Sequence, residues 1–310
     1  MVENVQVNLR SQRELGPKIA LGEKMLEKIT DFNCILGEGP VWDAEKGKLW
    51  WIDIKGKKIH SFSNNGKIDT ITCEGQVGCL GLWDKDHLIV AEETGIFKLN
   101  LKEKDFVRFG NIRPEGETLR YNDGKIGPDG KFWFGSLDDI AFPPIGSLYS
   151  IDATGTTKRH LDNICCSNGI GWTLDGTRMF YTDSKRRVIW SFDFNKIEGT
   201  ISNRQSFAEI VGEQVPDGLA VDIEGNIWSA MWDGWALIKF DPSGNEIDRI
   251  SVPVQRPTSC AFGGDDMKTL FITSASIDLD RVLLSGAPDS GALFSIEVDV
   301  QGVPVGSFGL

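Results

Sequence analysis

A chain rich in glycine and tryptophan (35 and 10 of 310 residues), in which one hairpin pattern returns six times, predicts an all-β fold. The fold class it predicts is a six-bladed β-propeller of four-stranded antiparallel blades with a short N-terminal extension. Each copy of the pattern leads through a turn with Asp or Gly into a short aromatic or β-branched run. The clearest copies run over residues 127–135, 173–181 and 222–230. Weaker copies run over 42–54, 83–91 and 263–273, so the period is about 40–50 residues, the length of a propeller blade.

Each copy carries hairpin chemistry. Asp-Gly supplies the turn, because glycine tolerates positive φ. Runs such as Leu49-Trp-Trp-Ile-Asp53 and Leu270-Phe-Ile-Thr273 read as the strands that follow. A third strand closing on Asp follows in several copies, as in 147–152, 188–193 and 236–241. A sheet of this kind cannot cover both faces alone, and radial packing of blades buries them. A β-sandwich does not demand a repeat of this length. The propeller is therefore expected over residues 31–310. Residues 1–30 read as an N-terminal extension, partly helical. The basis is a loose stripe of Leu15, Ile19, Leu21, Met25, Leu26 and Ile29, interrupted by Gly16-Pro17.

Composition excludes several functions. A formal net charge of −12 repels a phosphate backbone or an anionic membrane, so neither nucleic acid nor membrane is an expected partner. No apolar run approaches the roughly 20 residues that span a bilayer, and residues 1–10 lack the order of a signal peptide. The six cysteines form no Cys-x-x-C pair and no Cys/His cluster, which argues against a structural zinc site and for free thiols in a reducing cytoplasm. There is no Gly-x-Ser-x-Gly elbow, Walker loop or dinucleotide fingerprint. His60, His87 and His160 sit in ordinary strand or loop contexts, and Cys165-Cys166 reads as packing.

The repeat also orders the polar residues. Glu38, Asn122, Asn168 and Asp217 each lie eleven to thirteen positions before the aromatic strand residue of their copy: Trp51, Trp133, Phe180 and Trp228. Equivalent positions in repeated blades share radius and height, so these four are expected to meet on the central channel. Taken singly, Asn-Gly and Asp-Gly are as readily turns; four in one register favour the axis. Two carboxylates and two amides facing one another call for a divalent cation, and oxygen donors suit Ca²⁺, Mg²⁺, Mn²⁺ or Zn²⁺. Such a cation polarises a carbonyl or activates water. Asp217 is then the candidate general base. Arg120, at the channel mouth, can hold sugar hydroxyls or a developing oxyanion.

Five segments carry a resemblance: 36–42 (Leu-Gly-Glu-Gly-Pro-Val-Trp), 120–125 (Arg-Tyr-Asn-Asp-Gly-Lys), 167–172 (Ser-Asn-Gly-Ile-Gly-Trp), 216–218 (Pro-Asp-Gly) and 258–264 (Thr-Ser-Cys-Ala-Phe-Gly-Gly). With them the chain, from about Leu36 to near the C-terminus, resembles the regucalcin–gluconolactonase–arabinolactonase family. The resemblance implies a six-bladed propeller with one divalent metal, Ca, Zn, Mn, Mg or Fe, held by Glu38, Asn168 and Asp217. It also implies Asp217 as acid/base and Arg120 and Asn122 as substrate contacts. Some relatives bind sugar through a Glu after a Gly-Thr-Met segment. Here that stretch reads Gly135-Ser-Leu-Asp-Asp-Ile140, and Asp138 or Asp139 substitutes with a shorter reach, Asp139 being taken as the contact.

The expected function is metal-dependent hydrolysis of a sugar lactone such as gluconolactone, arabinonolactone or xylonolactone to its aldonic acid. The alternatives are a calcium-binding regulatory propeller without turnover and a phosphotriester or aryl-ester hydrolase. The expected protein is cytoplasmic, a monomer or weak homo-oligomer whose partner is a small sugar lactone.

Overall fold

The computed structural model of this chain describes residues 19–21, 24–114, 116 and 118–309. It is a six-bladed β-propeller. Five sheets have four strands in chain order from the axis outward. The innermost strands are Gly37–Asp43, Val77–Asp84, Leu119–Ile126, Ser167–Trp172, Val215–Val221 and Pro257–Gly263. Each contacts the innermost strand of the next sheet, and Pro257–Gly263 returns to Gly37–Asp43, so the ring is closed.

The core lies between blades. Six hydrophobic clusters are resolved, one for each seam. Trp133 of the third blade packs edge-on against Trp172 and Phe194 of the fourth. Trp228 of the fifth meets Phe262 of the sixth in the same way. Each such side chain, fully buried, contributes about 1.5–3 kcal/mol. The apolar runs read from the sequence follow from this, because both faces of every blade meet a neighbour. The hairpin turns form as their residues require: Gly130 and Gly176 have φ of 69° and 68°, where a Cβ would be strained. The Asp before each accepts the backbone N–H two residues on, Lys131 at 3.3 Å and Thr177 at 3.1 Å.

The N-terminal segment corrects the sequence reading. The sixth sheet runs Pro257–Gly263, Thr269–Ser274, Phe294–Glu297, Lys24–Lys28, Ile19–Leu21. Lys24–Lys28 pairs antiparallel with Phe294–Glu297, Glu27 opposite Ser295 and Lys28 opposite Phe294. The expected partly helical extension is thus strand where it is described, and it belongs to the propeller. The physical reason is an edge: without this segment Phe294–Glu297 would present unpaired backbone groups. Leu26 is buried in the seam with Phe294 and Ile296, whereas Met25 is exposed, a strand alternation that a helical stripe had mimicked. Residues 1–18 of the expected extension lie outside the described residues.

A second feature went unread in the sequence. After Phe294–Glu297 the C-terminal tail crosses one end of the tunnel. Gly302 N–H donates to Met267 O, Val303 N–H to Val221 O, Phe308 N–H to Leu82 O and Gly309 N–H to Gly130 O, at 2.8–2.9 Å. Phe308 is buried against Trp83 and Phe109. One end of the tunnel is therefore a floor, and the other is the mouth.

Candidate active site at the tunnel mouth

All six innermost strands slip register with their neighbour near the mouth. The slips fall between Glu38 and Val41, Val77 and Cys79, Asn122 and Gly124, Asn168 and Ile170, Pro216 and Leu219, and Pro257 and Ser259. A bulge leaves a residue out of the ladder and re-aims its side chain. Glu38, Asn122 and Asn168 are the last paired residues before three of these slips and Asp217 lies inside a fourth, and all four line one cavity of about 560 Å³. The glycine that follows Asn168 or Asp217 is there for close approach, not for a turn. A Cβ on Gly169 would stand 2.6 Å from the Asp217 carbonyl oxygen, and one on Gly218 2.0 Å from Ser259 Oγ.

The site is dense with buried polar groups. Asn122 Nδ2 donates to Asn168 Oδ1 at 2.8 Å and to the Ser167 carbonyl at 2.7 Å. Asn168 Nδ2 donates to Ser184 Oγ at 2.8 Å, which leaves a lone pair on its Oδ1. Glu38 Oε2 accepts from Gly39 N–H at 2.9 Å. Asp217 Oδ1 is buried and accepts from nothing among the described residues. Burial above all, then the Asp123 carboxylate, pushes Glu38 up to about 8. Burial, then Glu38 and Asp123, holds Asp217 well above the ordinary carboxylate range. Arg120 pulls both the other way but is outweighed.

Two carboxylates raised by burial and by neighbouring acids, an orphan carboxylate oxygen and an amide oxygen with a spare lone pair fit a divalent cation. The donors are all oxygen, as hard cations prefer. Glu38, Asn168 and Asp217 could hold it, and the cation would let both acids ionise.

Arg120 is fixed beside this group. Its Nε donates to Asp139 Oδ1 at 2.8 Å, and its Nη1 to Asn122 Oδ1 at 2.6 Å and to the Tyr121 carbonyl at 3.1 Å. Its Nη2 donates to nothing among the described residues, so one face of the guanidinium stays available. Asp139 also accepts from Lys55 Nζ through its other oxygen. Asp139, expected to touch sugar, is thus engaged by two cations and positions Arg120. Asp138 points into its own loop, accepting from Ile140 N–H, Ala141 N–H and Thr118 Oγ1.

Sequence reasoning missed Lys55, Asp123 and Ser184. Asp123 adjoins Asn122 and is a third buried acid, raised by burial against the pull of Lys125. Its φ of 44° marks it as the bulge residue, a conformation that its one-letter context does not reveal. The thiol reading holds: all six cysteines are free, and burial, then Asp217, pushes Cys166 up to about 12, unsuited to a nucleophile.

Residues 36–276 match the family described as SMP-30/Gluconolactonase/LRE-like region. The chain belongs to this family. Rabbit (Oryctolagus cuniculus) regucalcin is 32% identical over 292 residues, 91% of this chain and 98% of the relative. YvrE of Bacillus subtilis (strain 168), provisionally named a sugar lactone lactonase, is 32% identical over 275 residues, 88% and 94% of the two chains. Among solved structures, a calcium-binding protein, regucalcin from Agrobacterium tumefaciens, superposes with a TM-score of 0.88 at 26% identity, covering 91% of this chain and 97% of that one. Family membership supports a hydrolase acting on sugar lactones in general. Among the described residues no helix is long and apolar enough to cross a membrane.

Proposed function

We propose that this member of the family hydrolyses a small aldonolactone to its aldonic acid, with a divalent cation held by Glu38, Asn168 and Asp217. The observation that carries the reading is the buried, partnerless Asp217 Oδ1 beside Glu38 and the Asn122–Asn168 pair. When bound, a divalent cation polarises the lactone carbonyl and lowers the pKa of a neighbouring water.

The chain's own residues do the rest. Asp217, as carboxylate, takes a proton from the attacking water while the water oxygen bonds to the lactone carbonyl carbon. The ring C–O bond then breaks, and its oxygen takes up the proton to become a hydroxyl. Arg120, locked by Asp139 and Asn122, offers Nη2 to substrate oxygens. Asn122 already spends its amide N–H groups on Ser167 and Asn168, so it acts mainly by holding Arg120 and Asn168 in register. The cavity admits a monosaccharide-sized ring.

The test is acid release from gluconolactone, arabinonolactone and xylonolactone by chelated protein reloaded with Ca²⁺, Zn²⁺, Mn²⁺, Mg²⁺ or Fe²⁺. Turnover with at least one cation, lost on chelation and in Asp217→Ala, is expected. Full activity in Asp217→Ala sinks the reading. So does tight Ca²⁺ binding without turnover of any lactone, or faster turnover of a phosphotriester or aryl ester.

A further inference from the structure

The first blade holds a second set of metal-type ligands, away from the tunnel. Cys34 lies in the segment joining the closing strand Lys24–Lys28 to the innermost strand Gly37–Asp43. Asp53 ends the blade's second strand and His60 sits in its third. Their ligand atoms all lie within 4.8 Å of one another. The three residues are only 2%, 4% and 3% exposed. The sequence argued against any such cluster, because 26 positions separate Cys34 from His60; the blade brings them together.

Two of the three side chains are already oriented. Asp53 Oδ1 accepts from Leu36 N–H at 3.0 Å and Gly56 N–H at 2.9 Å, but Oδ2 accepts only from Ile35 N–H at 3.0 Å and keeps a lone pair. His60 Nδ1 meets Thr70 Oγ1 at 2.9 Å. With Nδ1–H donating there, the lone pair of the neutral ring stays on Nε2, which is buried with no hydrogen-bond partner among the described residues. A buried acceptor left unpaired is costly and asks for an occupant. An outer partner on the other ring nitrogen is what a metal-binding histidine usually has.

The fourth blade provides the control. Asp183 ends its second strand as Asp53 does, accepting from Cys165 N–H at 3.2 Å and Cys166 N–H at 3.1 Å. There the charge is met by Arg186, three positions on, whose Nη1 lies 2.6 Å from Asp183 Oδ2. Three positions after Asp53 stands Gly56, where a Cβ would come within 2.2 Å of Asp53 Oδ2. In place of an arginine, the first blade offers a thiol and an imidazole.

We propose that Cys34, Asp53 and His60 Nε2 form a second cation site, separate from the tunnel, for a divalent metal that accepts sulfur and nitrogen ligands, zinc above all. Three protein ligands of this mixed softness suit Zn²⁺, with water in the fourth position, and disfavour Ca²⁺ and Mg²⁺. On binding, the Cys34 sulfur gives up its proton to solvent and bonds as thiolate. Phe32, which packs on the His60 ring, lies between the exposed Asp31 and Asn33, so the segment over the cluster borders solvent. Because Cys34 follows the strand that closes the ring, the ion would pin that closure to the first blade.

The experiment uses the full chain, chelated and then titrated with Co²⁺, whose thiolate complexes absorb by sulfur-to-metal charge transfer. Wild type should take up two ions per chain and show the thiolate band, and Zn²⁺ should quench the band and raise Tm. Glu38→Gln should lose one ion and keep the band. Cys34→Ser should lose the band, and His60→Gln, which leaves the thiol in place, should weaken the affinity that the band reports at least tenfold. No thiolate band in wild type, a band that survives Cys34→Ser, or unchanged affinity in His60→Gln overturns the site. No lactone enters the assay, so failure of the lactonase reading leaves this result standing.

Discussion

At the mouth of the tunnel the six innermost strands slip register and present Glu38, Asn122, Asn168 and Asp217. A few residues further along, the same strands present Trp42, Leu82, Ile126, Trp172, Val221 and Phe262, and the C-terminal tail lies across them. The mouth gathers buried acids that oppose one another; the floor gathers apolar surface and stitches it with backbone hydrogen bonds. The contrast teaches that one set of strands serves two opposed ends. The mouth sacrifices stability for a charged, water-reachable site, and the floor restores it by burial, the division expected when function requires unfavourable groups.

That division can be broken from either side. The largest effect is expected in Glu38→Gln, which should lower lactone turnover on the order of a thousandfold. The chelated variant at pH 8 should nevertheless be at least as stable as chelated wild type by urea unfolding, because a buried acid is gone. A loss of both activity and stability would show that Glu38 braces the fold instead. Phe308→Ala should do the reverse. Removing a buried ring from the Trp83–Phe109 cluster should cost about 3–4 kcal/mol of stability, while KM for the lactone stays unchanged well below Tm. A raised KM would couple floor to mouth.

A third effect is in pH. Glu38, held at about 8 against an ordinary value of 4.5, binds its proton more tightly in the folded chain than in the unfolded one. Its contribution to stability is therefore fully present below about 4.5 and is lost as pH rises through about 8. The Tm of chelated protein should fall across that window, and a saturating cation should flatten the slope. A flat profile in the chelated protein would remove the opposed acids from the argument.

The repeat was legible because each blade solves the same packing problem with local means: an Asp-Gly turn, then a run of aromatic and β-branched residues. The axial register was legible for the same reason, and the structure places Glu38, Asn122, Asn168 and Asp217 around one cavity. Asp139 was legible as a candidate residue, and the structure places it in the same cavity, but its hold on Arg120 and Lys55 was not legible, because it depends on side chains from two other segments. The strand at Lys24–Lys28 was misread because its apolar pair, Met25 and Leu26, fits a helical stripe equally well until Phe294–Glu297 stands beside it.

By itself, then, the sequence determined the period, the blade chemistry and which oxygen-bearing side chains share one height, all properties carried within some 50 residues. Tertiary structure alone decided how the ring closes, which end of the tunnel is sealed, and that Cys34 and His60 lie beside Asp53. The reason is physical: a hairpin's register is set by its own turn, whereas ring closure pairs segments some 270 positions apart. Such partners are chosen by the edge and the surface left uncovered once every local choice has been made.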